Sequence, residues 1–163
     1  MTIQIIITGG TFDKRYDEIG GTLTLDQTHL PNLLNEVRCT LAVNVEINQM
    51  IDSLDMDSAG RAAVVKSCRT CDSDRIVITH GTDTMVDTAR QIAEADLGKT
   101  VVLTGAMRPY SFVHSDAMFN LGTAIGGVQT LPHGVWIAMN GHLFAWDNVR
   151  KNREQGLFEP LDS

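Results

Sequence analysis

Positive charge is scarce in this sequence of 163 residues. Lysine and arginine together number 13 against 20 aspartate and glutamate residues, which gives a formal net charge of −7 at pH 7. A chain with this balance offers no positive field to a phosphate backbone or to an anionic lipid surface. We therefore expect neither nucleic acid nor a membrane as a partner.

Long apolar runs are also missing. No segment approaches the roughly 20 apolar residues that a membrane-spanning helix needs. The first ten residues, MTIQIIITGG, have no positively charged segment and only a short apolar run broken by Gln4, so they predict a strand rather than a signal peptide. With 43% hydrophobic and 20% charged residues, the composition is that of an ordinary globular protein, and the length fits one domain over residues 1–163.

Cysteine is rare as well, and the number is odd. Three cysteines in a chain of this size indicate free thiols and a reducing, cytoplasmic setting. Cys68 and Cys71 form a C-x-x-C pair at the end of a predicted helix, without a second pair or a nearby histidine. Two half-buried thiols are therefore a better interpretation of this pair than a zinc or redox site.

Phosphate-binding motifs are missing too. The sequence contains no G-x-G-x-x-G fingerprint. The LGKT segment at residues 97–100 ends like a phosphate-binding loop, but it leads into a strand and lacks the earlier glycine that the motif requires. A bound nucleotide cofactor is therefore not expected, and a Rossmann-like nucleotide binder is the weakest of the alternatives.

Short apolar runs alternate with helical patterns along most of the chain. The apolar runs predict buried strands at residues 3–8, 43–51, 75–79, 100–104 and 135–139. Helical spacing predicts helices at residues 30–41, 58–71, 85–95 and 112–125. This alternation predicts a single α/β domain of the Rossmann or flavodoxin type, a doubly wound, mostly parallel sheet with helices on both faces. Gly20 and Gly21 predict a hairpin or flap at residues 12–27, and the tail at residues 155–163 shows no pattern.

Small polar clusters follow four of the predicted strands. They are TGGT at residues 8–11, DSLD at 52–55, THGTDT at 79–84 and TGAMRP at 104–109. Ligands of open α/β sheets bind outside the carboxyl ends of the strands, so we expect the clusters to converge on one site. Thr11 and Thr82 are candidate nucleophiles there, which Asp83 and a lysine are placed to assist.

Each of these residues also has a structural explanation. Threonine and aspartate before helices commonly cap them, and His80 is better explained as a hydrogen-bonding residue than as a base. Arg108, Asp116 and Asn120 could form a polar network under a helix. The expected convergence of four clusters, rather than any single residue, is what favours a binding site.

Three motifs give the sequence a family likeness. TGGTF, HGTDTM and TGAMRP occur in the order and spacing of the bacterial-type L-asparaginase family, whose members carry TGGTI, HGTDTM and GAMRP. From about Ile3 to about Lys151, the sequence resembles the amino-terminal domain of that family, in a short-chain form. The resemblance implies an amidohydrolase that converts L-asparagine to L-aspartate and ammonia through a threonine nucleophile, without a metal or a cofactor.

The resemblance also assigns roles to particular residues. It implies that Thr11 is the nucleophile, that Ser53 binds the substrate α-carboxylate and that Asp83 binds its α-ammonium. The catalytic residues that it implies are Thr11, Tyr16, Thr82, Asp83 and Lys151. The implied substrate-binding residues are Gly10, Asp52, Ser53, Leu54, Gly81 and Ala106. Beside Asp83, Lys151 would depress the proton affinity of a threonine hydroxyl rather than act as a neutral base.

Two departures from the family pattern leave an alternative open. Leu54 stands where the family has a glutamine that touches the substrate ammonium. Family members usually carry a second domain that contributes an acidic residue to a neighbouring subunit, and the likeness does not extend to it. We expect the domain to cover its apolar surface by forming a homodimer or a higher homo-oligomer. A non-catalytic amino-acid-binding module that retains the pocket is the alternative to an enzyme.

Overall fold

Residues 1–161 are described by the structure, a computed structural model, and they form ten strands and four α-helices. The strands are β1 Thr2–Gly9, β2 Arg15–Asp17, β3 Thr22–Thr24, β4 Ala42–Ile51, β5 Arg75–Thr79, β6 Thr100–Thr104, β7 Gly134–Met139, β8 His142–Ala145, β9 Arg150–Asn152 and β10 Leu157–Glu159. The helices are α1 Leu30–Glu36, α2 Ser58–Thr70, α3 Met85–Glu94 and α4 Ala117–Thr130. Within this part of the chain, no helix is long and apolar enough to cross a membrane.

The central sheet has six strands in the order β4-β1-β5-β6-β7-β8. All neighbouring pairs are parallel except β7 and β8, which are antiparallel. The chain first places β4 on one side of β1 and then continues with β5 on the other side. This reversal confirms the predicted doubly wound fold and creates a crevice at the carboxyl ends of β1 and β5.

Both faces of the sheet are buried, which explains the nearly continuous apolar runs in its strands. In β1, Ile3, Ile5 and Ile7 pack on the side of α1 and α4, whereas Ile6 packs on the side of α2 and α3. A parallel sheet that helices cover on both faces needs apolar residues at both alternating positions of each strand.

Two predicted elements, the strand at residues 43–51 and the helix at residues 112–125, differ from the structure. Strand β4 was expected to be buried, but it is an edge strand, and its Ile47 side chain is 57% exposed. The helix expected at residues 112–125 begins only at Ala117, because the Asp116 carboxylate accepts hydrogen bonds from the backbone N–H groups of Met107 and Arg108. These bonds fold the preceding residues into a loop.

The first helix is shorter than the spacing predicted. It ends at Glu36, and Arg38 adopts a left-handed conformation with φ of 55°. The Cys39 N–H then donates to the Leu34 carbonyl over 2.9 Å. This pattern closes the carboxyl end of a helix and stops its continuation.

The last part of the chain forms structure that the sequence did not predict. Strand β8 adds an antiparallel edge to the sheet, and β9 pairs with β10 as a separate hairpin. The absence of pattern in the tail was therefore misleading for Leu157–Glu159. Phe158 is only 3% exposed and packs against the core on the side of α2 and α3. Burial of this single aromatic ring therefore anchors the hairpin.

Candidate active site

Loops that follow three parallel strands touch at the crevice between β1 and β5. Gly10, after β1, has a positive φ of 77°, and a Cβ atom there would collide with the backbone of Gly81, after β5. A Cβ atom on Gly81 would in turn lie 2.5 Å from the Cβ atom of Ser53, after β4. Glycine at both positions therefore allows the three loops to approach closely. The Gly10 N–H fixes this arrangement by donating to the Ile51 carbonyl over 2.9 Å.

Lys151 brings a cation to the threonine of the β5 loop. Its Nζ donates to Thr82 Oγ1 over 2.8 Å and to Asp83 Oδ1 over 2.9 Å. The Lys151 side chain is only 11% exposed, so water screens these contacts weakly. A cation at this distance stabilises a hydroxyl oxygen that gains negative charge.

The β9–β10 hairpin positions Lys151. Lys151 lies opposite the buried Phe158 in the hairpin register. The Phe158 N–H donates to Asn140 Oδ1 over 2.8 Å, which joins the hairpin to the turn between β7 and β8. The lysine is thus held by packing and by a backbone hydrogen bond on the neighbouring strand.

Two cationic side chains contact the same carboxylate oxygen of Asp83. Besides Lys151, the Arg153 guanidinium lies 2.5 Å from Asp83 Oδ1, and a second nitrogen of that guanidinium donates to the Asp83 carbonyl over 3.4 Å. The hydrogen bond from Lys151, followed by the charges of both cations and the bond from Arg153, lowers the pKa of Asp83. Sequence reasoning missed Arg153, because no motif marks a pair formed across 70 residues.

Ser53 and Asp52, in the loop after β4, differ in whether their side chains already have hydrogen-bond partners. The Ser53 hydroxyl is buried and has no hydrogen-bond partner in the described part of the chain. Asp52 instead accepts from Lys14 Nζ over 2.6 Å and from the Leu54 N–H over 3.1 Å. The hydrogen bond from Lys14 lowers the pKa of Asp52. The Leu54 side chain is exposed beside these groups and offers no polar atom.

Thr11 and Tyr16 are not joined to the Lys151 cluster by direct contacts. Thr11 lies in a short 3₁₀ turn directly after Gly10, at the mouth of the crevice. Its side chain makes no hydrogen bond to Thr82, Lys151 or Tyr16 within residues 1–161. Tyr16 lies on β2 with its side chain 60% exposed. The structure therefore brings Thr82, Asp83 and Lys151 together, and it leaves Tyr16 outside this group.

A polar network supports the turn after β6, which contains the buried Ala106. Asn120 Nδ2 donates to the Gly105 carbonyl over 3.0 Å and to Asp116 over 2.9 Å. Asp116 also accepts from the Met107 and Arg108 N–H groups, so these residues do form a network under α4. Arg108 takes part through its backbone.

His80 is a structural residue in this arrangement. It is fully buried, and its ring nitrogens lie 2.8 Å from the Gly81 carbonyl and 2.8 Å from Thr88 Oγ1. Burial lowers the pKa of His80 to about 4, which keeps the ring neutral near pH 7. A neutral ring with both nitrogens engaged holds the β5 loop in place rather than accepting a substrate proton.

The C-x-x-C pair lies away from this site. Burial raises the pKa of the Cys68 thiol to about 12, and the Lys99 ammonium donates to the Cys71 carbonyl over 2.6 Å. All three cysteines are free. Over residues 1–161, no group of three or more histidine, cysteine, aspartate or glutamate side chains could hold a metal ion.

Comparison with known proteins agrees with the motifs. The family model described as "Asparaginase, N-terminal" matches residues 2–158. The chain belongs to the asparaginase family. This membership confirms the resemblance that the motifs indicated.

Individual relatives support the asparaginase assignment. L-asparaginase 2 of Escherichia coli is 33% identical over 159 residues, which are 91% of this chain and 46% of that protein. Glutaminase-asparaginase of Pseudomonas aeruginosa is 36% identical over 92 residues, 54% of this chain and 25% of that protein. The thermostable L-asparaginase from Thermococcus kodakarensis superposes with a TM-score of 0.86 at 25% identity, over 100% of this chain and 52% of that one. The chain therefore spans about half or less of these asparaginase relatives.

Proposed function

We propose that this asparaginase domain hydrolyses the side-chain amide of L-asparagine to L-aspartate and ammonia, with Thr11 as the nucleophile. The observation that carries the proposal is the contact of Lys151 with Thr82 and Asp83, at 2.8 and 2.9 Å, beside the crevice that Thr11 borders. Membership of the asparaginase family supports amide hydrolysis as the reaction class.

The reaction proceeds in two steps. The Thr11 oxygen attacks the amide carbon, the carbon–nitrogen bond breaks, and the Thr11 proton leaves with the nitrogen as ammonia. Water then attacks the aspartyl ester, which releases aspartate and returns a proton to Thr11. Lys151 lowers the cost of negative charge on Thr82, so Thr82 can relay the proton. The backbone N–H groups of Thr11 and Thr82 stabilise the oxyanion.

The surrounding loops supply the groups that an amino acid needs. The unpaired Ser53 hydroxyl is available to donate to the substrate carboxylate, and Asp83 provides a carboxylate for its ammonium. In this proposal, the rest of the pocket is lined by Gly81, Asp52, Leu54 and the backbone at Ala106. Tyr16 reaches the substrate only if the β2–β3 hairpin closes over it.

Paired threonine substitutions test the proposal. Thr11→Ala and Thr82→Ala should each abolish ammonia release from L-asparagine and leave the unfolding transition in urea unchanged. Thr22→Ala, on the exposed β3 strand, serves as the matched control and should retain full activity. Full activity in both active-site variants would overturn the catalytic assignment.

A non-catalytic amino-acid-binding module is the second candidate. The exposed Leu54, which offers the substrate no hydrogen bond, is the observation that favours it. Calorimetric binding of L-aspartate without ammonia release from L-asparagine would select this candidate over the enzyme.

Assembly and location complete the proposal. We propose a homodimer or higher homo-oligomer, because Met118 and Phe119 on α4 are exposed and apolar. A monomer in sedimentation equilibrium would contradict it.

We propose a cytoplasmic location on the basis of the three free cysteines, and recovery of the protein in another cell fraction would contradict that.

A further inference from the structure

We infer that Lys14 neutralises Asp52 next to Ser53, and that this neutralisation allows the loop after β4 to bind the carboxylate of an anionic ligand. The inference rests on the proposed function, in which Ser53 binds the α-carboxylate of the substrate, and it specifies how this chain recognises that acid. Lys14 acts through Asp52, so it is a positioning residue for the ligand rather than a catalytic residue.

Asp52 places a negative charge directly beside the serine. It immediately precedes Ser53, and its Oδ1 atom accepts from the Leu54 N–H over 3.1 Å, so the carboxylate bends back along the Ser53 backbone. The hydrogen bond from Lys14 is the largest of the effects that lower the pKa of Asp52, which keeps the carboxylate ionised near pH 7. Without a counter-charge, Asp52 would repel a carboxylate that approaches Ser53.

Lys14 supplies that counter-charge. Its Nζ atom lies 2.6 Å from Asp52 Oδ2, and the two side chains are 22% and 31% exposed, so water and salt screen the pair only partly. The charge of Lys151 also lowers the pKa of Asp52, but less than the contact with Lys14, and Lys151 itself contacts Thr82 and Asp83. Lys14 is therefore the main group that neutralises Asp52.

Other contacts hold Ser53 in place independently of Lys14. The Ser53 carbonyl accepts from Thr84 Oγ1 over 2.9 Å, and the Gly10 N–H donates to the Ile51 carbonyl at the end of β4. The Ser53 hydroxyl is buried and has no hydrogen-bond partner among residues 1–161, so it is free to donate to a carboxylate. Loss of Lys14 should therefore change the charge beside Ser53 more than the position of its hydroxyl.

Substitutions at the two ends of the ion pair separate a charge effect from a structural one. Lys14→Met and Asp52→Asn both break the pair, so a purely structural pair predicts the same change in KM for L-asparagine. Neutralisation predicts opposite changes, because the first variant leaves a negative charge beside Ser53 and the second leaves a positive one. We expect KM to rise about fivefold or more in Lys14→Met and to fall about twofold or more in Asp52→Asn, with smaller changes in kcat.

A double variant and a neighbouring cation serve as controls. Lys14→Met combined with Asp52→Asn should bring KM back to within about twofold of the wild-type value, because neither charge remains. Arg15→Met removes the adjacent cation, which pairs with Asp26 over 3.5 Å, and should leave KM unchanged. Added salt should reduce the rise in Lys14→Met, because it screens the repulsion. A higher KM in both single variants, or no rise in Lys14→Met, would overturn the inference.

Calorimetry with L-aspartate separates this inference from the proposed hydrolysis. If the wild-type protein releases no ammonia from L-asparagine, the hydrolysis proposal fails, and the Kd for L-aspartate replaces KM as the measured quantity. Weaker binding by Lys14→Met together with tighter binding by Asp52→Asn would then support the inference. Weaker binding by both variants, or no binding by the wild-type protein, would overturn it.

Discussion

Two hairpins border the candidate active site, and they are held in different ways. The β9–β10 hairpin buries Phe158 in the core, and the preceding Val149 is buried with it. The β2–β3 hairpin leaves its Tyr16 and Leu23 side chains largely exposed. Local stability follows buried apolar contact, so we expect the β9–β10 hairpin to be rigid and the β2–β3 hairpin to move at low cost. Lys151 is therefore already in contact with Thr82 and Asp83, whereas the proposed role of Tyr16 requires its hairpin to move.

The burial of the carboxylates at the two hairpins differs in the opposite sense to that of the apolar residues. At the base of β2–β3, Asp13 is fully buried, and its Oδ1 accepts from Thr28 over 3.0 Å and from the His29 N–H over 2.8 Å. Burial raises the pKa of Asp13 despite these bonds. At β9–β10, Asp83 is partly exposed, and the bond from Lys151 lowers its pKa.

Removal of the lysine on the rigid hairpin should have the largest effect. Lys151→Met deletes the cation at Thr82 and should reduce ammonia release on the order of 10²- to 10⁴-fold, as expected for the loss of a group that assists proton transfer. Lys66→Met, at an exposed position of α2, should leave the rate unchanged. Equal rates in the two variants would show that the rigid hairpin contributes nothing to chemistry.

Alanine substitution of one apolar residue in each hairpin tests whether the two hairpins differ in how much they stabilise the fold. Phe158→Ala should lower the free energy of unfolding by about 3 kcal/mol or more, because it leaves a cavity in the core. Leu23→Ala should lower it by about 0.5 kcal/mol or less, because the leucine is largely exposed. Urea unfolding measures both values, and similar losses would remove the distinction.

Tyr16 tests whether the exposed hairpin closes during turnover. If it does, Tyr16→Phe should lower kcat about tenfold or more through loss of the hydroxyl, with an unchanged unfolding midpoint. The variant keeps the aromatic ring, so a loss of ring packing cannot account for a lower kcat. A full kcat would place Tyr16 outside the catalytic machinery.

The pH dependence of stability should show the smallest and most specific contrast. The lowered pKa of Asp83 adds stability above its ordinary value of 3.8, which is lost as the pH falls through the lowered pKa. The raised pKa of Asp13 has the opposite effect, since stability falls as the pH rises from 3.8 through the raised pKa. Asp83→Asn should remove the first dependence and Asp13→Asn the second, in urea midpoints measured across the acid range. The same pH profile in both variants would contradict these assignments.

The sequence predicted the crevice well for a physical reason. Apolar runs mark where β1, β5 and β6 end, and parallel strands bring those ends to one edge, so the convergence of their loops follows from topology. The apolar pattern could not show that β4 is an edge strand, because its Val45 and Ile47 alternate as buried residues do.

Contacts between distant residues lay beyond such reasoning. The pair of Lys14 and Asp52 joins residues 38 apart, and that of Arg153 and Asp83 joins residues 70 apart. Strands of three residues, such as β9, are too short to show a period. Lys151 was found only through the family motif, and its role depends on a hairpin that the sequence did not reveal.

Acid quenching during turnover of L-asparagine tests the nucleophile most directly. Peptide mapping by mass spectrometry should locate an aspartyl ester on the peptide that contains Thr11, and Thr11→Ala should lose both the ester and ammonia release. An ester on the peptide that contains Thr82, or ammonia release that survives Thr11→Ala, would contradict the mechanism.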